Sequence, residues 1–124
     1  MDTLSCLIVD DIFMNRILLK EIVRDLCPKI FEADNGKTAI ELLQAQRISI
    51  IFMDIEMPIM NGLETTKYIR RRLPSPLCNI PIIAITAYNP ADFFDDYKDA
   101  GFSHMLTKPY SFSKIQKIVK ELSL

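Results

Sequence analysis

Residues 50–58 read Ile50-Ile51-Phe52-Met53-Asp54-Ile55-Glu56-Met57-Pro58, and they give the clearest indication of the fold. Its four leading apolar residues indicate a strand buried on both faces, as in a parallel sheet covered by helices. A helix is disfavoured because Pro58 and the pair Asn61-Gly62 follow too closely. The predicted strand, roughly residues 49–53, therefore has Asp54 at its carboxyl end, where open α/β sheets place ligands and chemistry. The alternative is that Asp54 only caps the next turn.

The composition indicates one globular domain over residues 1–124. Hydrophobic residues make up 49% and charged residues 25%, and the net charge of -1 favours neither nucleic acid nor an anionic membrane surface. No apolar run approaches the length of a membrane span, and the N-terminus does not resemble a signal peptide. The three cysteines form no CxxC pair, which predicts reduced thiols in a cytoplasmic protein, with Cys6 in the core.

Strand and helix patterns alternate along the rest of the chain. Further strands are predicted at residues 5–9, 29–33, 82–85 and 104–107, with the second of these near a sheet edge. The five alternations predict an α/β fold of the flavodoxin-like (βα)5 type. This is a doubly wound five-stranded parallel sheet of order 2-1-3-4-5, with right-handed crossovers.

The intervening helices show apolar faces and end signals. The first is predicted to bury one stripe and to end at Pro28, Asn35 is predicted to cap the second, and a fourth is predicted to run from Asn89-Pro90 to Gly101. The third ends in the basic run 70–72, read as a solvated face or a helix C-terminus, or alternatively as a docking patch. The predicted stripe of the first helix is Leu18, Leu19, Ile22, Val23 and Leu26; that of the third is Leu63, Thr66, Ile69 and Leu73; that of the last is Phe112, Ile115, Ile118, Val119 and Leu122.

Polar side chains follow four of the five predicted strands. Asp10 and Asp11 follow the first, Asp54 the third, Thr86 the fourth and Lys108 the fifth. Because the carboxyl ends of parallel strands share one edge of the sheet, these groups are expected to converge. Three close carboxylates resist ionising unless positive charge lies among them, and hard oxygen ligands in a cleft suit Mg²⁺. The sequence therefore predicts a magnesium site beside a lysine.

A carboxylate in such a site can act as a nucleophile in phosphoryl transfer and form an aspartyl phosphate. Mg²⁺, the ammonium of Lys108 and the hydroxyl of Thr86 could each take one phosphoryl oxygen. A glycosidase is disfavoured because a chain of this length leaves little for a sugar cleft. Zinc is disfavoured because no His/Cys cluster is present, and His104 is predicted to be a strand or surface residue.

At these positions the sequence resembles the receiver domain of response regulators in two-component signalling, of the chemotaxis-regulator type. The resemblance covers essentially the whole chain, with five motifs in order: Asp10-Asp11, Asp54, Met57-Pro58 with Asn61-Gly62, Thr86-Ala87, and Lys108-Pro109. It implies that Asp54 is the phosphoacceptor and that Lys108 and Thr86 contact the phosphoryl group. It also implies Mg²⁺ bound by the carboxylates of Asp11 and Asp54 and the backbone carbonyl of Glu56, with Asp10 acting largely through water, and a cis bond before Pro109.

The resemblance also implies a switch. Phosphorylation adds about -1.5 to -2 charges, Thr86 moves toward them, and an aromatic residue of the fifth strand usually rotates inward. Here Met105 stands at that position, so we expect altered output coupling and unaltered phosphorylation. Glu56 and Tyr88 would flank the attacking water and set the phosphoryl lifetime, although Tyr88 is equally read as a plain exposed tyrosine. The implied output face includes Phe93, Phe94, Tyr97, Met105 and Tyr110.

The resemblance implies a signalling module and not an enzyme. Its expected partners are a histidine kinase or histidine phosphotransfer protein and an unknown downstream protein, with no direct contact to nucleic acid or membrane; a dimer linked to phosphorylation stays open. The chain is either a stand-alone regulator or a receiver of a longer hybrid kinase. Two alternatives remain: a phosphate-independent binding module, and a phosphohydrolase of the haloacid dehalogenase type, which wants an Asp where this chain has Glu56.

Overall fold

The computed structural model describes residues 4–87, 98–108 and 111–122. The strands are β1 (Ser5–Val9), β2 (Lys29–Ala33), β3 (Ile50–Asp54), β4 (Ile82–Thr86) and β5 (His104–Thr107). The helices are α1 (Phe13–Val23), α2 (Gly36–Ala45), α3 (Gly62–Arg72), α4, of which residues 98–100 are described, and α5 (Phe112–Glu121), with a 3-10 turn at Leu77–Asn79.

The five strands form one parallel sheet in the order β2-β1-β3-β4-β5. This confirms the predicted flavodoxin-like fold, including the edge position of β2. All residues of β1, β3 and β4 are buried, because helices cover both faces of the central strands and only continuous apolar runs satisfy both sides. β3 extends one residue further than predicted, so that Asp54 is its last residue.

Helices pack on both faces of this sheet. Leu19 and Val23 of α1 and Ile115 and Val119 of α5 belong to the core cluster on one face. On the other face, α2 and α3 contribute Ala39, Leu43 and Ile69 to a second cluster. Cys6 is fully buried in the first cluster, as predicted, and Cys27 is buried there too. Asn35 caps α2 by accepting a hydrogen bond from the Thr38 amide, which confirms that prediction.

The predictions for two helices, α1 and α5, were wrong in detail. α1 ends at Val23, before Leu26, and Leu18 is 56% exposed instead of belonging to the buried stripe. The reason is that adjacent helix positions point about 100° apart, so Leu19 and Val23 face the sheet while Leu18 faces solvent. Phe112, at the first residue of α5, is 40% exposed. The predicted end of α4 at Gly101 agrees with its φ of 99°, but the predicted start at Asn89-Pro90 lies outside the described residues.

The basic run at the end of α3 divides into two kinds of residue. Arg71 and Arg72 are exposed, as the solvated reading predicted. Arg70 instead turns inward and donates hydrogen bonds to the backbone carbonyls of Cys78 (3.1 Å), Ile80 (2.6 Å) and Gly101 (2.8 Å). Arg70 thus ties the end of α3 to the segments before β4 and β5.

Within the described residues, no helix combines the length and the hydrophobicity needed to cross a bilayer.

Candidate functional site

The acidic residues of the strand ends form one cluster. Asp10 directly follows β1 and Asp54 ends β3, and these two strands are hydrogen-bonded neighbours. Carboxylate oxygens of Asp10, Asp11 and Asp54 all lie within 4.8 Å of one another. Asp10 and Asp54 are buried whereas Asp11 is exposed, so the cluster is open to solvent on the Asp11 side.

The backbone around Asp10 is held at three points. Its amide donates to the Ala33 carbonyl at the end of β2 (3.1 Å), its Oδ1 accepts from the Ile12 amide (2.9 Å), and its carbonyl accepts from Nη1 of Arg16 (2.7 Å). The two acidic residues therefore sit on a turn whose geometry is set by β2 and by α1.

Close packing of α3 shapes the end of β3. A Cβ on Gly62 would lie 2.3 Å from the Asp54 carbonyl oxygen, so only glycine allows this approach. The Gly62 amide donates to the Ile55 carbonyl (2.9 Å). Asn61 and Glu64 form a capping box at the start of α3. The Asn61-Gly62 pair thus starts a helix directly against the backbone of Asp54.

Lys108 and Thr86 lie at the same edge of the sheet. Nζ of Lys108 is 3.9 Å from Oδ1 of Asp54. The Lys108 amide donates to the Thr86 carbonyl at 2.8 Å, which holds the lysine beside the end of β4. Thr86 is buried and is in register with Thr107 of β5.

The electrostatics of the cluster favour a bound cation. The pKa of Asp54 is raised from 3.8 to about 7, because burial and the charges of Asp10 and Asp11 raise it by more than Lys108 and the Ile55 amide lower it. A carboxyl group that holds a proton near neutral pH marks a place where added positive charge is favourable. The donor set of three carboxylates, one of them exposed, fits a hard divalent cation such as Mg²⁺.

The structure describes only some of the other residues that the sequence predicted for the site and the output face. Glu56 is exposed in the loop after β3. Met105 is half-buried and packs against a small cluster of Ile55 and Ala84, on the same face of the sheet as Thr86 because alternate residues of parallel strands share a face. Tyr88, Phe93, Phe94, Tyr97, Pro109 and Tyr110 lie outside the described residues, and with them the predicted cis bond and most of the predicted output face.

Sequence reasoning missed an exposed apolar surface beside the acids, which we call the α1 patch. It consists of Ile12 (52% exposed), Phe13 (60%), Met14 (67%), Ile17 (37%) and Leu18 (56%). It begins immediately after Asp11. A signal was available, because this segment has more apolar residues than one buried stripe can hold.

A flavodoxin-like sheet with an acidic cluster beside a lysine is the arrangement expected of a signalling receiver domain. A family model described as the response regulator receiver domain matches residues 6–120, and the chain belongs to that family. Members of this family are signalling modules of two-component regulatory and phosphorelay systems.

Individual relatives support this family membership. The chain is 32% identical over 115 residues to sporulation initiation phosphotransferase F of Bacillus subtilis, covering 93% of this chain and 90% of that protein. It is 34% identical over 109 residues to stress response regulator protein 1 of Candida tropicalis, covering 86% of this chain. The receiver domain of a sensor histidine kinase from Pseudomonas aeruginosa PAO1, with a magnesium ion coordinated in its active site cleft, is 26% identical, with a TM-score of 0.85 and 97% of each chain covered.

These relatives differ greatly in length. The chain spans 40% of the Candida regulator and 12% of the sensor histidine kinase GacS of Pseudomonas protegens. The receiver unit is therefore shared between short proteins and segments of much longer ones.

Proposed function

We propose that this domain accepts a phosphoryl group on Asp54 from a phosphohistidine of a histidine kinase or phosphotransfer protein, with Mg²⁺, and thereby switches its affinity for a downstream protein. The observation that carries the proposal is the convergence of three carboxylates within 4.8 Å, with the Lys108 ammonium 3.9 Å from Asp54. The setting of the reaction would be the cytoplasm, and the domain would act as a signalling module and not as a turnover enzyme.

The metal would be held by the carboxylates of Asp11 and Asp54 and the backbone carbonyl of Glu56, with Asp10 acting largely through water. This assignment is supported by the carboxylate oxygens of the acidic cluster and by the exposure of Asp11, which leaves room for water and phosphate oxygens. When bound, Mg²⁺ would neutralise charge on the phosphoryl oxygens and favour the ionised form of Asp54.

The transfer itself needs an ionised Asp54. One Oδ of Asp54 forms a bond to phosphorus while the phosphorus–nitrogen bond of the donor breaks, and the electron pair returns to the imidazole nitrogen. Lys108 would pair with one phosphoryl oxygen, and the hydroxyl of Thr86 would donate to another once the group is attached. The anchoring of Lys108 to the Thr86 carbonyl supports a joint action of these residues.

A macromolecular donor is favoured by the α1 patch. Contiguous exposed apolar side chains mark interaction sites, and this patch starts at the residue after Asp11. A histidine-bearing partner that covered the patch would bring its imidazole to the open side of the acidic cluster. Small phosphoryl donors would lack this contact and would react more slowly.

The switch would run through β4 and β5. Thr86 and Met105 lie on one face of the sheet, so a movement of Thr86 toward the phosphoryl group changes the space next to Met105. Because Met repacks without a distinct rotamer step, we propose that it alters output coupling and leaves phosphorylation unchanged. Met105→Tyr should match the wild type in phosphorylation yield and differ in the phosphorylation-induced NMR shifts of residues 98–108; identical shifts would contradict this role. Glu56 and Tyr88 would set the lifetime of the phosphoryl group on Asp54. Measuring the rate of loss of this group in Tyr88→Ala tests the role of Tyr88.

The deciding experiment measures intact mass after incubation with Mg²⁺ and a small acyl phosphate. The wild type should gain one phosphoryl group, and the gain should vanish in Asp54→Asn and without Mg²⁺. Asp25→Asn is the matched control, because Asp25 is an exposed acid away from the cluster. No gain in a protein that binds Mg²⁺ would favour the phosphate-independent binding module. Multiple turnovers of a phosphomonoester would favour the phosphohydrolase.

A further inference from the structure

We infer that Arg16 is a positioning residue for the metal site, acting through the peptide that joins Asp10 and Asp11. Its Nη1 donates to the Asp10 carbonyl oxygen at 2.7 Å, and its Nε donates to Oε1 of Glu32 on β2 at 3.1 Å. The inference rests on the proposed function only in taking Mg²⁺ as the ligand of the acidic cluster.

The hydrogen bond from Arg16 to the Asp10 carbonyl restricts the peptide between Asp10 and Asp11. The Asp10 carbonyl belongs to the planar peptide unit that links the two acidic residues, so fixing its oxygen fixes the orientation of Asp11 relative to Asp10. The Asp10 amide bonds to Ala33 on the other side of the Asp10 Cα, and the Ile12 amide bonds to Asp10 Oδ1 and so restricts the turn through the side chain. Arg16 adds a constraint directly on the carbonyl oxygen of this peptide, beside the exposed Asp11.

Arg16 is itself held in place. Its side chain is only 15% exposed, and its guanidinium lies 5.5 Å from the centre of the Phe13 ring. Glu32 accepts a second hydrogen bond, from Lys20 of α1 (3.1 Å). Burial raises the pKa of Glu32, but the hydrogen bonds and the positive charges of Lys20 and Arg16 together lower it by more, so the group is ionised at neutral pH. The guanidinium of Arg16 is thus held by Glu32 of β2 and by the Phe13 ring of α1.

Loss of the Arg16 charge and loss of its hydrogen bond to Asp10 are expected to change the Mg²⁺ affinity in opposite directions, which makes the inference testable. Arg16 carries a positive charge near a site for a cation, so removing that charge alone should tighten Mg²⁺ binding. Losing the constraint on the Asp10–Asp11 peptide should weaken it. Residues that orient metal ligands commonly change metal affinity by about 10–100-fold when replaced.

The experiment measures the Kd for Mg²⁺ alone, by calorimetry or by NMR titration of the unphosphorylated protein. For Arg16→Gln we expect a Kd raised about tenfold. Arg16→Lys keeps the charge but offers one nitrogen in place of the Nε and Nη1 that donate here, and its Kd should lie between those of this variant and the wild type. The matched control is Lys20→Gln, which removes a positive charge from the same helix and from the same Glu32, and should change the Kd by no more than about twofold.

An unchanged or lower Kd in folded Arg16→Gln would overturn the inference, as would a wild type that binds no Mg²⁺. If Arg16→Gln does not fold, Glu32→Gln and Arg16→Lys decide: a raised Kd supports positioning, and a wild-type Kd overturns it. The proposed function fails separately, because a protein that binds Mg²⁺ through a positioned Asp10–Asp11 turn but never gains a phosphoryl group would contradict the phosphoacceptor role alone.

Discussion

Lys108 Nζ stands 3.9 Å from Asp54 Oδ1, outside hydrogen-bond range but close enough for strong attraction. Even so, the pKa of Asp54 stays at about 7, because burial and the charges of Asp10 and Asp11 outweigh the lysine. In the metal-free site the ionised form of Asp54 is therefore unfavourable, and its negative charge lowers the stability of the folded protein.

Asp54→Asn should stabilise the metal-free protein, and more so at high pH. The folded carboxyl holds its proton up to about pH 7 and the unfolded one only up to about 3.8. Folded wild type therefore binds more protons between these values and loses stability as the pH rises through them. Since each pH unit in this window corresponds to about 1.4 kcal/mol, and about two units separate pH 5 from the folded pKa, the gain from asparagine should be about 3 kcal/mol larger at pH 8 than at pH 5.

Urea unfolding in a chelating buffer at both pH values measures this difference. Asp25→Asn is the control, and Mg²⁺ should reduce the advantage of asparagine by stabilising the folded wild type. An Asp54→Asn gain that is the same at pH 5 and pH 8 would show that the buried charge is not its cause.

Gly62→Ala should destabilise the protein by about 2–4 kcal/mol, the range of a disrupted packed site. A methyl group at this position would meet the Asp54 carbonyl oxygen at 2.3 Å and the Ile55 Cα at 2.9 Å, both of them backbone atoms. Intrinsic helix propensity predicts the opposite sign, a gain of about 1 kcal/mol for alanine in a helix. Lys67→Ala, an exposed position of α3, is the control for helix propensity. A stability gain in Gly62→Ala, measured by thermal unfolding, would disprove the close approach.

Arg70→Gln should cost about 3 kcal/mol of unfolding free energy, whereas Arg71→Gln should change it by less than about 0.5 kcal/mol. Three backbone carbonyls, those of Cys78, Ile80 and Gly101, lose their donor in the first variant. Arg71 is exposed one residue further along the same helix and so controls for charge and helix position. Equal effects in urea titrations of the two variants would contradict the anchoring role.

Ile59→Gly should raise stability by about 0.5–1 kcal/mol. Ile59 has a φ of 69°, where a β-branched residue is strained, and the Met60 amide donates across it to the Pro58 carbonyl at 2.7 Å. Its side chain is 79% exposed, so little packing is lost. Gln46→Gly is the control, since Gln46 is also exposed but has a φ of -127° and should lose stability on the change to glycine. Thermal unfolding that shows a loss for both variants would rule out strain at Ile59.

The strand order of the sheet and the place of the acidic cluster could be predicted from the amino-acid sequence. The apolar runs ending in Asp54 and in Asp10-Asp11 could only be buried central strands, and parallel strands necessarily bring their carboxyl ends to one edge. The convergence of Asp10, Asp11 and Asp54 followed from that, while their individual roles toward metal and phosphate stay predictions.

Tertiary structure alone decided which polar and apolar helix residues serve the fold and which stay exposed. Arg70 looked like part of a solvated basic run, yet it bonds to a carbonyl 31 residues away in Gly101. Leu18 looked like core and is exposed, and Arg16 carried no signal although it holds the Asp10 carbonyl. The physical reason is that periodicity describes one helix at a time, whereas burial and hydrogen bonding depend on which distant segment packs against each helix.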